Sequence, residues 1–171
     1  MLKKLTSCLF LIFLAGCVGI PDRVTPVKDF DVNRYLGRWY EIARLDHSFE
    51  RGLERVEAEY RLNKDGSIRV VNRGFDPRSN QWKEAVGKAV FVADTDTGRL
   101  KVSFFGPFYG SYNIIDLDRK NYSYALVCGP SKSYLWILAR EPRMEAAIKS
   151  MLIEKADALG FETQKLIHVR H

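Results

Sequence analysis

Arg55-Val56-Glu57-Ala58-Glu59-Tyr60-Arg61-Leu62, followed by Asn63-Lys64-Asp65-Gly66-Ser67 and Ile68-Arg69-Val70-Val71-Asn72-Arg73, reads as a β-hairpin. Val56, Ala58, Tyr60 and Leu62 alternate with four charged residues, the period-2 pattern of a strand with one wet face. Lys64-Asp65-Gly66 supplies the turn. Ile68, Val70 and Asn72 then alternate with Arg69, Val71 and Arg73.

The same grammar extends in both directions. Gly37 to Leu45 precedes it as a first strand. Asp76-Pro77 to Asn80 is a loop, Trp82 to Ala93 a strand run, and Asp94 to Gly98 a turn. Leu100, Val102 and Phe104 alternate with Lys101, Ser103 and Phe105. Tyr112 to Leu117, Tyr124 to Cys128 and Tyr134 to Ala139 bring the total to eight strands. Eight antiparallel strands with short connections and no helix between them define an all-β barrel or sandwich, and closure removes the exposed edges. One helix follows, from Pro142 to the Gly160 stop, with Met144, Ala147, Ile148, Met151, Leu152 and Leu159 as its apolar stripe. The outer wall of the sheet is the surface available to bury it. Phe161 to Val169 has room for one more short strand.

The chain has 171 residues, 46% hydrophobic and 28% charged, an ordinary globular composition that excludes disordered, collagen-like and polytopic membrane proteins. Lys3 and Lys4 precede the apolar run Leu9 to Ala15, which is shorter than the ~20 apolar residues that span a bilayer. Its length and flanks are those of a secretory signal. The run ends in Leu14-Ala15-Gly16-Cys17, which resembles the bacterial lipobox. The resemblance implies removal of residues 1–16 and acylation of Cys17. Residue 18 is Val rather than Asp, which in that sorting pattern implies the outer membrane and, from inside the envelope, its periplasmic face. Two or three acyl chains hold a protein firmly where one does not. Residues 17–29 are then the lipidated N-terminus and tether, and 30–171 the folded domain. Of three cysteines, Cys8 falls in the discarded segment and Cys17 is lipidated. Cys128 is left either as a buried inert thiol or, in an exposed electropositive setting, a reactive one. The net charge of +6 includes no Lys/Arg-rich run and no nucleic-acid motif.

Asn33-Arg34-Tyr35-Leu36-Gly37-Arg38-Trp39-Tyr40-Glu41-Ile42 resembles the lipocalin signature around Gly-x-Trp, at the start of the first strand. Leu117-Asp118-Arg119 with Tyr124-Ala125-Leu126-Val127 approaches the second lipocalin motif and keeps only its aspartate. Trp136-Ile137-Leu138-Ala139-Arg140 matches the third. The lipobox, Arg44 to Gly52 and Phe104 to Gly110 are similar to the bacterial outer-membrane branch, with apolipoprotein D more distant. The resemblance implies an eight-stranded up-and-down barrel with the helix outside. It also implies that Gly37, Trp39 and Arg140 close the base structurally, and that the ligand is a fatty acid or lysophospholipid bound for envelope maintenance.

Strand phase places Val56, Ala58, Tyr60, Val70, Val102, Phe104, Tyr112, Ile114, Tyr124, Leu126 and Trp136 inside. Periodicity alone leaves open whether they fill a core or line a cavity. Phe105, Phe108 and Tyr109 in the fifth-to-sixth loop share the mouth with His47 and Phe49, as a rim for lipid or for a second protomer of a homodimer. Glu57 and Glu59 read as solvated surface and Asp118 as a turn residue. His47, His168 and His171 lack metal spacing. No catalytic residue, cofactor or metal is expected. The remaining alternatives are a non-catalytic envelope interaction module with a filled barrel, and an enzyme on the same scaffold, which would need convergent polar groups inside.

Overall fold

The computed structural model describes residues 18–171. The expected signal segment 1–16 and Cys17 lie outside the described residues. A short helix α1 (Val32–Tyr35) leads into eight strands: β1 (Gly37–Arg44), β2 (Glu54–Leu62), β3 (Ile68–Asp76), β4 (Gln81–Phe91), β5 (Arg99–Phe105), β6 (Phe108–Leu117), β7 (Tyr124–Cys128) and β8 (Leu135–Ala139). Helix α2 (Ala146–Ala158) and a two-residue strand β9 (Ile167–His168) complete the chain. Each strand pairs antiparallel with the next, and β1 pairs with both β2 and β8, so the sheet closes on itself. β9 adds to the end of β1 at Ala43 and Arg44.

Closure divides the molecule into two ends and two apolar compartments. Residues 45–53, 77–80, 106–107 and 129–134 connect strands at one end, the mouth. Residues 63–67, 92–98 and 118–123 lie with α1 at the other, the base. Inside the barrel Trp39, Tyr60, Ile68, Val70, Ala89, Leu100, Ile114, Leu117, Ala125, Val127 and Leu138 pack together. Outside, Ile42, Ala43, Leu126, Cys128, Leu135, Ile137 and Ala139 pack with Leu152 and Ala156 of α2 and with Phe161. The helix turns a slightly different stripe inward than its sequence suggests. Met144, Ile148, Leu152, Ala156 and Leu159 carry the contact, while Met151 is 42% exposed.

The base is plugged by the indole of Trp39, which is fully buried and donates from Nε1 to the Tyr35 carbonyl at 2.8 Å. The Arg140 guanidinium lies over that indole, 4.0 Å from the ring centroid. Its fork donates to the carbonyls of Arg38 (2.8 Å), Arg34 (2.7 Å) and Tyr122 (3.2 Å). One side chain thus joins α1, β1, the β6–β7 loop and the end of β8. Gly37 has a φ of +94°, and a Cβ there would stand 3.4 Å from the Arg140 Nη1. Only glycine combines that backbone with that approach at no steric cost.

Charge-assisted hydrogen bonds contribute ~1.5–3 kcal/mol and a cation–π contact ~0.5–2 kcal/mol, less where water reaches the group. Arg140→Ala should therefore cost about 2–3 kcal/mol in urea unfolding, with Arg140→Lys recovering less than half because an ammonium cannot span three carbonyls. A loss below about 0.5 kcal/mol would remove Arg140 from the plug.

Candidate functional site

The barrel interior is packed at the base and accessible toward the mouth. Trp39, Ile114 and Leu117 at the base are buried. Ala58, Val102, Phe104, Tyr112 and Trp136 face the same interior and are only partly buried. On β4, Ala89 is buried, Gly87 is intermediate, and Ala85, two residues nearer the mouth, is exposed. The inward positions thus grow more exposed toward the mouth on β4, β5 and β6, whereas on β2 and β3 Val56 and Gly74 stay buried beneath Leu53. Gly87 leaves room for Phe104, whose ring lies 2.8 Å from where a Cβ would stand. Val56 is buried beside Leu53 and Gly74, toward the mouth.

Tyr124 and Leu126, expected inside, are on the other face, beneath α2. On β7 the inward residues are Ala125 and Val127. The cause is physical: β7 is apolar on both faces because one lines the barrel and the other takes the helix. A register shift between Ile114 and Asp116 on β6 further uncouples the phase of the neighbouring strand. Cys128 shares that outer face and is fully buried, and burial pushes its thiol up to about 12.

The interior is more polar than strand phase alone suggests. At its floor the hydroxyl of Tyr112 is 2.6 Å from that of Tyr35 and 2.9 Å from that of Tyr60. Burial holds all three phenols above the ordinary tyrosine value, so they remain neutral donors. Oδ1 of Asn72, on the inward face of β3, is buried and has no hydrogen-bond partner among the described residues.

Toward the mouth a second group forms. A bulge between Glu41 and Ala43 turns Arg44 to the same side as Glu41, opposite Trp136. Arg44 is 1% exposed and donates to Glu41 Oε1 at 2.6 Å and to the carbonyls of Glu50 (2.8 Å) and Leu53 (3.2 Å), which ties the β1–β2 loop down. Trp136 Nε1 donates to Glu50 Oε2 at 3.2 Å, and His47 Nε2 lies 3.1 Å from the same oxygen. Burial first, and then the Glu50 charge, raise Glu41 well above the carboxylate range. Burial would raise Glu50 too, but hydrogen bonds from His47, Glu41 and Trp136, with the His47 charge, leave it lowered. Burial thus disfavours a charge on Glu41, whose Oε1 accepts from Arg44, while the partners of Glu50 favour one there. Trp39-x-Glu41 on one strand face is a signal that could have revealed the first member; the bulge that brings in Arg44 has none.

The rim carries Phe105 at 78% and Phe108 at 58% exposure, with Phe49 at 71%. Tyr109 is half-buried, its ring 4.9 Å from the Lys101 Nζ. Trp82, 56% exposed at the start of β4, was not among the sequence candidates. A hollow of about 460 Å³ lined by Asp29, Asp31, Arg34, Arg119 and Tyr122 lies outside the base, on the far side of the plug from the cup. Among the described residues no group of His, Cys, Asp and Glu side chains converges as a metal site.

Comparison with known proteins gives one consistent result. A family model described as a lipocalin-like domain matches residues 30–171. The chain is 57% identical to the outer membrane lipoprotein Blc of Vibrio cholerae, covering 93% of each chain. It is 49% identical to the Escherichia coli K12 protein of the same name, covering 94% of this chain and 90% of that one. Among solved structures, insecticyanin from Manduca sexta matches with a TM-score of 0.71 at 22% identity, covering 90% of this chain and 87% of that one, which is a likeness of fold.

Burial disfavours the charge on Glu41, so the neutral isostere in Glu41→Gln should leave the melting temperature at pH 7 unchanged or higher. Glu50→Gln should lower it by several degrees, because it removes the carboxylate that accepts from Trp136 and lies beside His47. The signs follow from linkage. Glu50 adds stability above the ordinary carboxylate pKa, lost as pH falls through its lowered folded value. Glu41 loses stability as pH rises from the ordinary value toward its raised one. Melts from pH 4 to 9 check this: Glu41→Gln should flatten the alkaline decline, and an unchanged profile would contradict the raised pKa of Glu41.

Proposed function

The chain belongs to the lipocalin family, and from that premise we propose that it binds a single-chain lipid, such as a fatty acid or lysophospholipid, in the cup, and stores or carries it for envelope maintenance. Its relatives at 49% and 57% identity are named as outer membrane lipoproteins, and the chain is likewise a lipid-anchored protein of the outer membrane. Cys17 is the proposed acylation site, the periplasmic face the proposed side, and residues 1–16 the proposed signal. The names of those relatives are lipoprotein names and not enzyme names.

The observation that supports the reading is the rise in exposure toward the mouth along the inward positions of β4, β5 and β6. An eight-stranded barrel is wide enough for side chains or one small ligand, and here the side chains run out toward the mouth. An acyl chain entering from water gains ~0.8 kcal/mol per buried CH₂. Against a bilayer most of that gain cancels, so single-chain lipids that leave the bilayer readily are favoured. Tyr35, Tyr60, Tyr112, Asn72 and the Glu41–Arg44–His47–Glu50 group supply the few polar contacts that orient such a ligand. The same group meets the condition of convergent polar residues that an enzyme would need. Arg44 is committed to the loop carbonyls, however, and Glu50 to His47 and Trp136, which suits a structural and orienting role.

Ala85 faces the cup at its exposed end, so Ala85→Trp should obstruct it without disturbing the packed base. Displacement of a fluorescent fatty-acid probe should show affinity at least about tenfold weaker, equivalent to about 1.4 kcal/mol, with an unchanged far-ultraviolet spectrum. Undiminished binding in a folded variant would place the lipid outside the barrel.

A further inference from the structure

We propose that the open mouth is held face-on against the lipid surface from which the chain hangs, by an N-terminal strap along the barrel wall and a rim of exposed aromatic side chains. This rests on the reading of Cys17 as acylated.

The strap replaces the free tether that the sequence of residues 17–29 suggests. At the base, Phe30 N donates to the Asp96 carbonyl (2.7 Å), Val27 N to that of Ile114 (2.8 Å), and Gly98 N to that of Val27 (2.9 Å). Ile20 and Val24 then pack into the compartment between the barrel wall and α2. Farther toward the N-terminus, the Gly19 carbonyl accepts from Ser111 Oγ at 2.6 Å, and the Val18 carbonyl from Arg99 Nη2 at 3.4 Å. A Cβ on Gly19 would stand 3.8 Å from the carbonyl oxygen of Pro130, in a mouth loop. The chain thus climbs the outer wall from base toward mouth.

The remaining distances are short. Ser111 is three strand residues from Phe108 at the hairpin tip, about 10 Å. Cys17 is two residues before Gly19, a span of at most about 7 Å. The Gly19 carbonyl also accepts from Asn113 and the Val18 carbonyl from Arg99 at the base end of β5, so the described chain ends on the wall, about 10 Å below the rim, and a lipid on Cys17 is within about 7 Å of that point. Turning the base to the membrane would need the chain to reach back along the six strand residues from Ser111 to Leu117, about 20 Å. Nine residues of β3, tilted as barrel strands are, rise about 20–25 Å.

The rim is chemically matched to that surface. Phe49, Trp82, Phe105 and Phe108 are the strongly exposed phenylalanines and tryptophan among the described residues, and all four lie at the mouth end. They come from three different connections, so they surround the opening. Among the described residues the base presents Leu62 alone as an exposed large apolar side chain. Aromatic rings concentrate where headgroups meet acyl chains. With the mouth against the bilayer, a single-chain lipid enters the cup without crossing bulk water.

The test uses full-length acylated protein in vesicles of phosphatidylethanolamine and phosphatidylglycerol. A fluorophore is attached at Ser79→Cys, in the mouth turn, or at Lys64→Cys, in the base turn of the same strand; buried Cys128 stays unlabelled. Nitroxide-bearing lipid should quench the mouth probe several-fold more than the base probe. An insertion of about ten flexible residues after Val18, combined with Phe105→Ser and Phe108→Ser, should erase the difference. Equal quenching in the parent, or stronger quenching at the base, overturns the orientation. If the two serine substitutions abolish self-association and leave mouth quenching unchanged, the rim is a contact with a second copy of the chain and the proposal is overturned. Mass spectrometry of the N-terminal peptide separates the two readings: unmodified Cys17 overturns the anchor, whereas acylated Cys17 with equal quenching overturns only the orientation.

Discussion

The stacking of Arg140 on Trp39 is the interaction on which the rest of the molecule depends. A closed sheet has no edges but two open ends, and an eight-stranded barrel becomes a cup only when one end is sealed. The indole fills that end. A guanidinium that is always charged satisfies three carbonyls which the converging α1, β1 and β6–β7 loop would otherwise leave without donors. The cost falls on Gly37, held at positive φ so that its backbone passes under the arginine. With the base fixed, the tyrosine floor above it and the solvent-accessible wall above that have a defined depth.

The opposite end is organised by electrostatics. Arg44 gathers the β1–β2 loop by its carbonyls, and its guanidinium donates to the carboxyl group of Glu41. A buried ion pair is weak evidence for stability as such. Here it fixes the one mouth loop that folds inward, while the β3–β4 and β5–β6 hairpins hold Trp82, Phe105 and Phe108 outward. The β1–β2 loop is thus tied down while it still presents Phe49, and the two hairpins present the other exposed rings.

Much of this was legible in the sequence, and the parts that were not share physical reasons. The alternation of Val56, Ala58 and Tyr60 with Glu57, Glu59 and Arg61 fixes the phase of β2, because one face meets water. Tyr124 to Cys128 offers no such contrast, since both faces of β7 are buried, and its phase was assigned the wrong way round. Bulges after Glu41 and Ile114 change the parity of β1 and β6 in mid-strand with no residue that announces it. The strap is held largely by main-chain carbonyls, which leave no side-chain pattern to read. Gly37, Trp39 and Arg140 were reached by resemblance to a family, and their geometry supplies the reason those residue types stand together.

The central claim is that the partly exposed inward face is a lipid site and not unfinished packing. Native mass spectrometry of the full-length protein, released gently from the membranes of its own host, measures this directly. A cup of this kind should give a species heavier than the acylated chain by one single-chain lipid, lost on collisional activation and restored by adding lysophospholipid. A spectrum showing the acylated chain alone, unchanged when single-chain lipids are supplied, would contradict it.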